Sequence, residues 1–399
     1  MKTFLRYNLI ALLLLVNSFA YSCTTELEKK IDCGADNTVE YLPLLKDKKI
    51  AIVANPSSLI KNEHLVDYLI AKNVKIKKIF SPEHGFRGKA DAGEKIKNAK
   101  DKLTGIQIVS LYGKHFKPSI SDVRGIDMML FDLQDVGVRF YTYISTLHYV
   151  MEICAEQNIP LIVLDRPNPN AHYIDGPVLD MQYSSFVGMH PVPIVYGMTI
   201  GEYAKMINGE KWLKNGVQCD LKVIACKNWN RGQKYHLPVK PSPNLPNSLS
   251  ITLYPSLCFF EGTSVSAGRG TDHPFQCYGH PFMNESYFTF TPRSIPGASK
   301  YPKFKGEKCN GFDLRLMNED SFRNRKKLDL SFLMTAYSQL KEKEKFFNAF
   351  FRNLAGTNQL KQQLEKGISE EEIRESWSEG LNNFKIIRSK YLIYSEVKN

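Results

Sequence analysis

The chain lacks the short motifs that mark most metal, redox and nucleotide chemistry. Its nine histidines are scattered, and none sits in a His-Glu-x-x-His pair at zinc-ligating spacing. Eight cysteines, at 23, 33, 154, 219, 226, 258, 277 and 309, include no Cys-x-x-Cys, so zinc-ribbon and thioredoxin-type chemistry have no support. No Gly-x-Gly-x-x-Gly follows the first apolar run, and the glycine-rich stretch from Gly262 to Gly270 lacks the Gly-Lys-Ser/Thr ending of a phosphate-binding loop. No nicotinamide, flavin, nucleotide or metal cofactor is therefore expected. Neither Ser81 nor Ser264 lies in a Gly-x-Ser-x-Gly elbow, which argues against a serine hydrolase. Long apolar runs are also missing: the stretch from Leu9 to Val16 is too short for a comfortable membrane span.

What that stretch does form, with Lys2 and Arg6 before it and Ala20-Tyr21-Ser22 after it, is the three-part layout of an export leader over residues 1–22. Two readings of Cys23 stay open, cleavage of an ordinary leader or lipidation of the new N-terminal cysteine as a membrane anchor. The expected location is outside the cytoplasm, periplasmic or held on a membrane as a lipoprotein. Loss of Lys2 and Arg6 with the leader lowers the net charge from +12 to +10. A basic exported protein fits an acidic cell-wall glycan better than nucleic acid, since its lysines are dispersed rather than gathered into one run. Export permits disulfides, and Cys219 with Cys226 is the nearest pair in sequence beyond the leader; Cys154 and Cys258 read as buried free thiols.

At 399 residues, 43% hydrophobic and 24% charged, the chain has a globular composition and room for two domains. Residues 23–40 are polar and aperiodic, the pattern of a tether. Short apolar runs then alternate with helical periodicity. Strands are expected at Ile50–Ala54, Val74–Phe80, Ile106–Leu111, Met128–Phe131 and Leu161–Leu164, and a helix at about 142–158. This alternation implies an α/β fold with a mostly parallel sheet covered on both faces. Capping boxes start helices at Thr199/Glu202 and Ser369/Glu372, the second followed by an apolar face of Ile373, Trp377, Leu381 and Phe384. The proline-rich crossing from Pro241 to Asn247 divides a domain at 41–245 from a smaller one at 246–399.

Polar groups gather directly after the strands, at the sheet edge where α/β proteins bind ligands. Glu83 and His84, with Arg87 and Glu94 close behind, follow the second strand. Asp132, Gln134, Asp135 and Arg139 follow the fourth, and Asp165, Arg166 and Asn168 the fifth. The loop carrying Glu261, Arg269 and Asp272 follows another apolar run and has glycines that permit close backbone approach. Paired carboxyl groups suit cleavage of a glycosidic bond, which needs one protonated and one ionised. Glu83 is the candidate general acid and Glu94 its partner carboxylate; the remaining residues are candidates for substrate binding. Any one acid at such a position also reads as a turn former or helix cap. Tyr141, Tyr143, Phe259 and Phe260 read as core or cleft wall. His84, His190, His273 and His280 are the only histidines considered for a metal, and dispersion speaks against it.

Several long motifs in one order carry a resemblance. Ser81-Pro82-Glu83-His84-Gly85-Phe86-Arg87-Gly88, Asp91-Ala92-Gly93-Glu94, the run from Phe131 to Tyr143, Asp165-Arg166-Pro167-Asn168-Pro169, and Glu261-Gly262-Thr263 with Gly268-Arg269-Gly270-Thr271 resemble the exo-β-N-acetylmuramidase family over most of the chain. The resemblance implies a Rossmann-like N-terminal domain and a smaller α+β C-terminal domain with the active site in the cleft between them. It implies release of terminal N-acetylmuramic acid from peptidoglycan fragments, without metal or nucleotide. Arg139, Arg166 or Arg269 would then read the lactyl carboxylate of the substrate. The competing expectation is a non-catalytic lipoprotein that captures muropeptides in the same cleft.

Overall fold

The computed structural model describes residues 30–83, 85–87, 99–285 and 287–396. Six parallel strands form its centre: β1 (Lys49–Ala54), β2 (Lys75–Ser81), β3 (Gln107–Ser110), β4 (Met128–Asp132), β5 (Leu161–Leu164) and β6 (Leu221–Ile224). They lie in the order β3-β2-β1-β4-β5-β6, with the two-residue strand Ala99–Lys100 antiparallel beside β3. The mostly parallel α/β sheet expected from the sequence is therefore present. Successive strands grow to one side of β1 and then, from β4, to the other, so the order reverses between β1 and β4. At such a reversal the two neighbouring connections leave in opposite directions and open a crevice at the carboxyl ends of the strands.

The central strands β1, β4 and β5 are nearly continuous apolar runs because both faces are covered. Alternate residues divide between two cores. Ala51, Val53, Phe80, Val109, Phe131 and Val163 face one core, which also takes Ile144, Leu147 and Met151 of a long helix, α2 (Tyr143–Glu156), and Tyr203, Ala204 and Ile207 of α3 (Ile200–Gly209). Ile50, Ile52, Ile79, Leu130, Ile162 and Leu164 face the other, with Leu65 and Leu69 of the preceding helix α1 (Leu65–Ala71). Thr199 and Glu202 cap α3 reciprocally, as their spacing anticipated.

Beyond Pro241 the chain forms α4 (Ser248–Leu257) and a small antiparallel sheet. Its strands β7 (Cys277–His280), β8 (Phe288–Phe290) and β9 (Cys309–Asp313) lie in the order β7-β9-β8. The first core runs without a break from the large sheet into this part, through Phe259, Phe346, Phe351, Trp377 and Phe384, and the described residues from Asp32 onward form one compact unit. The Ser369/Glu372 capping box forms, but its helix stops at Glu375 and a second, α5 (Ser378–Ser389), starts after Trp377. The single apolar face expected there is thus shared by two helices.

Part of the expected tether is instead structure. Cys33, Ala35 and Asn37 are buried, and the Gly34 amide donates to the Asp165 carbonyl at 2.7 Å. A Cβ on Gly34 would stand 2.2 Å from the Ile224 carbonyl oxygen, so only glycine permits this approach. The seven described cysteines are buried free thiols. Cys219 and Cys226 stand at opposite ends of β6, farther apart than a disulfide can reach.

Candidate active site

Most of the polar residues expected to bind substrate turn inward. Asp132 ends β4 and Arg166 follows β5; Arg166 Nε donates to Asp132 Oδ1 at 2.6 Å and Nη2 to Oδ2 at 2.8 Å, with both side chains buried. A further Nη2 contact reaches the Leu59 carbonyl at 2.9 Å. Burial pushes the Asp132 carboxyl up, and the guanidinium pulls it back. The pair staples adjacent strand ends and has little left to offer a ligand. Asp165 accepts from the Thr199 hydroxyl at 2.7 Å, the Gly201 amide at 2.8 Å and the Tyr394 hydroxyl at 2.7 Å, which ties β5 to α3 and to the C-terminal segment. Burial raises its carboxyl to about 6. Asp135 is likewise raised to about 6 by burial and accepts from the Gly137 amide and the Tyr196 hydroxyl.

Gln134 donates to the carbonyls of Asp135 and Pro167, and Asn168 to that of Met198. Arg139 is enclosed, its guanidinium donating to the carbonyls of Pro177, Val192, Leu354 and Ala355 at 2.7–3.0 Å. With no carboxylate beside it, burial lowers that guanidinium to about 9. These seven residues correct the sequence reading: a strand end lies near the crevice, yet a polar side chain there must still find partners once it is covered. Arg87 makes paired bonds to Asp67 and Asp101 at 2.9–3.1 Å, and Asp272 is exposed and pairs with Arg293 at 2.7 Å. His84 and Glu94 lie outside the described residues.

Three expected site residues do meet. Glu83, Glu261 and Arg269 line a recess of about 150 Å³ walled by the buried rings of Tyr141, Tyr143, Tyr254 and Phe275. Glu83 gets there because Pro82 ends the β2 ladder and turns the chain at the sheet edge. Tyr112, just past the end of β3, hydrogen-bonds Glu83. Burial and the Glu83 charge both raise its phenol, so Tyr112 stays a donor. Tyr143 accepts from Asn55 Nδ2 at 2.8 Å, anchoring it to the loop after β1, and the Tyr141 hydroxyl donates to the Pro241 carbonyl at 2.7 Å. The proline-rich crossing is thus cleft wall. Arg269 Nη1 donates to Glu261 Oε1 at 2.6 Å, while its Nε is buried with no hydrogen-bond partner among the described residues.

The Glu261 loop is held from below by a cation. Lys303 Nζ donates to the carbonyls of Phe260 at 2.7 Å, Thr263 at 2.6 Å and Val265 at 3.1 Å. Burial, opposed by Glu261, lowers this amine to about 8. Sequence reasoning missed Lys303 and Tyr112. Tyr112 obeys the same strand-end rule as Glu83 and was findable by it; Lys303 carries no local signal. His190 is buried with His148 at 2.9 Å and Tyr203 at 3.0 Å, and His273 contacts Arg315 at 2.8 Å. Among the described residues no three His, Cys, Asp or Glu side chains converge as a metal site.

Carboxyl groups on the wall of an aromatic recess, at the carboxyl edge of a parallel sheet, are the parts of a glycoside hydrolase. Comparison with known proteins agrees. The profile of the N-terminal domain of the exo-beta-N-acetylmuramidase NamZ matches residues 50–249, and that of the C-terminal domain matches residues 252–394. The chain is 38% identical over 389 residues to the peptidoglycan beta-N-acetylmuramidase NamZ of Bacillus subtilis, covering 93% of each. Its fold matches the crystal structures of two DUF1343 family proteins of Bacteroides fragilis. One has a TM-score of 0.86 at 45% identity, covering 92% of this chain and all of that one. The other has a TM-score of 0.75 at 27% identity, covering 92% and 99%. The chain belongs to the NamZ exo-β-N-acetylmuramidase family.

Proposed function

We propose that the chain is an exo-acting β-N-acetylmuramidase that hydrolyses terminal, non-reducing N-acetylmuramic acid from peptidoglycan fragments, with Glu83 protonating the leaving oxygen. The observation that carries this is the position of Glu83, at the end of β2 and on the wall of a recess it shares with Arg269. A general acid must reach the scissile oxygen, and Glu83 has that access while Asp132, Asp135 and Asp165 are consumed inside the fold. Glu94 is the second carboxylate in this scheme. Of the three arginines considered for the lactyl carboxylate, Arg139 and Arg166 are spent on interior partners. Arg269 lines the recess, and Glu261 fixes its guanidinium. The leader read at residues 1–22 supports an activity outside the cytoplasm, periplasmic or held on a membrane through a lipidated Cys23; detergent-phase partitioning that Cys23→Ser abolishes would favour the anchor, and aqueous partitioning of both proteins the periplasmic form.

The test is incubation of the purified chain with a muramyl-β-1,4-N-acetylglucosamine disaccharide, followed by mass and anomeric NMR. Release of free N-acetylmuramic acid is expected. Tight binding without product over hours would replace hydrolysis by muropeptide capture.

A further inference from the structure

The recess beside Glu83 shares Glu261 and Arg269 with a second one of about 390 Å³. Both residues line both recesses, so they stand at the junction. The two differ in the exposure of the rings that border them. The first is walled by buried rings, with Tyr143 2% and Phe275 3% exposed. The second ends on the exposed rings of Tyr301, 80% exposed, and Phe350, 39% exposed, with the hydroxyls of Ser266 and Ser299 and the ammonium of Lys300 along its wall.

An exo-acting glycosidase meets a substrate that is asymmetric about the scissile bond. On the non-reducing side there is one sugar and then nothing, which suits the recess walled by buried rings. On the other side the glycan continues, which requires a recess that opens to solvent. We propose that the recess bordered by Tyr301 and Phe350 is the subsite for the leaving saccharide, an N-acetylated amino sugar that packs its ring on these aromatics. This rests on the hydrolytic reading above. Amphipathic sugars suit such a wall: C–H faces lie on aromatic rings while hydroxyls and the acetamido group reach serine and lysine donors. The volume falls in the range of specific small-ligand sites. Lys300 Nζ lies 5.5 Å from the Tyr301 ring centroid, and the ring remains largely open to solvent.

The test compares two substrates that share the muramyl group and differ in what leaves. One is the muramyl-β-1,4-N-acetylglucosamine disaccharide, the other β-muramyl fluoride, whose leaving group is a single atom. Tyr301 and Phe350 border solvent, so Tyr301→Ala and Phe350→Ala should fold, as circular dichroism will check. Each variant should lower kcat/KM on the disaccharide by about tenfold, the order expected from a lost ring contact, and leave fluoride hydrolysis unchanged. Equal loss on both substrates would assign the recess to the muramyl end, and no loss on either would remove it from the site. Both outcomes overturn the proposal. A wild-type protein inactive on both substrates would instead strike the hydrolytic reading, and this subsite with it.

Discussion

Replacing Arg166 with Met should destabilise the fold rather than weaken substrate binding. The wild-type guanidinium makes two bonds to Asp132, at 2.6 and 2.8 Å, and a third to the Leu59 carbonyl at 2.9 Å, with both side chains almost wholly out of water. Methionine fills much of the volume but leaves Asp132 facing no counter-charge. Breaking a buried pair in this way costs about 3–5 kcal/mol, a large part of the roughly 5–15 kcal/mol that separates a domain from its unfolded state. Removing both charges as Asp132→Leu with Arg166→Met should recover most of the loss, because nothing unpaired then remains buried. Urea midpoints for wild type, both single variants and the double variant give the coupling energy, and disaccharide KM is measured where each variant is folded. An Arg166→Met protein with an unchanged midpoint and a raised KM would refute the reasoning and return Arg166 to the substrate.

Three further outcomes follow from the same structure. Tyr112→Phe removes the hydroxyl that bonds Glu83 and would stabilise the carboxylate formed as Glu83 gives up its proton; because hydrogen bonds to charged groups contribute about 1.5–3 kcal/mol, disaccharide kcat should fall roughly tenfold to a hundredfold with the melting temperature little changed. Asp165 titrates near 6 in the fold against 3.8 when unfolded, so the stability it contributes is fully present below 3.8 and is lost as pH rises through 6. The urea stability of wild type minus that of Asp165→Asn should accordingly drop by about 2 kcal/mol between pH 4 and pH 7; a flat difference would contradict the burial argument. Lys303 loses its positive charge as pH passes about 8, and a neutral amine cannot donate to three carbonyls. Activity should therefore decline on the alkaline side, Lys303→Met should be impaired at all pH values, and Lys303→Arg should carry the decline to higher pH.

How much of this was legible in the chain depends on whether the signal was local. Strands β1, β4 and β5 could be read because each is an apolar run buried on two faces, and β2 and β3 because each ends in buried apolar residues, Ile79-Phe80 and Val109; β6 is short, lies at the sheet margin and carries exposed Lys222, which left little signal. Capping at Thr199 and Ser369 was readable because it needs only two side chains three residues apart. The strand-end rule correctly drew attention to Glu83, but it drew equal attention to Asp132, Asp165 and Arg166. An aspartate that will be covered by a neighbouring arginine has the same letter as one that faces a ligand, and burial is decided by chain packed from elsewhere. Glu261 and Arg269 reach the Glu83 recess only through packing of the C-terminal part, and Lys303 acts on carbonyls some forty residues before it, where sequence carries no trace of the contact.

The placement of Glu83 as the acid is tested most directly by Glu83→Gln, which keeps the shape of the side chain and removes the carboxyl group. Turnover of the muramyl-β-1,4-N-acetylglucosamine disaccharide is measured beside the circular dichroism spectrum and melting temperature of the same preparation. The expected result is a native spectrum with release of N-acetylmuramic acid abolished. A folded Glu83→Gln protein that still turns over at near wild-type rate would remove Glu83 from the chemistry.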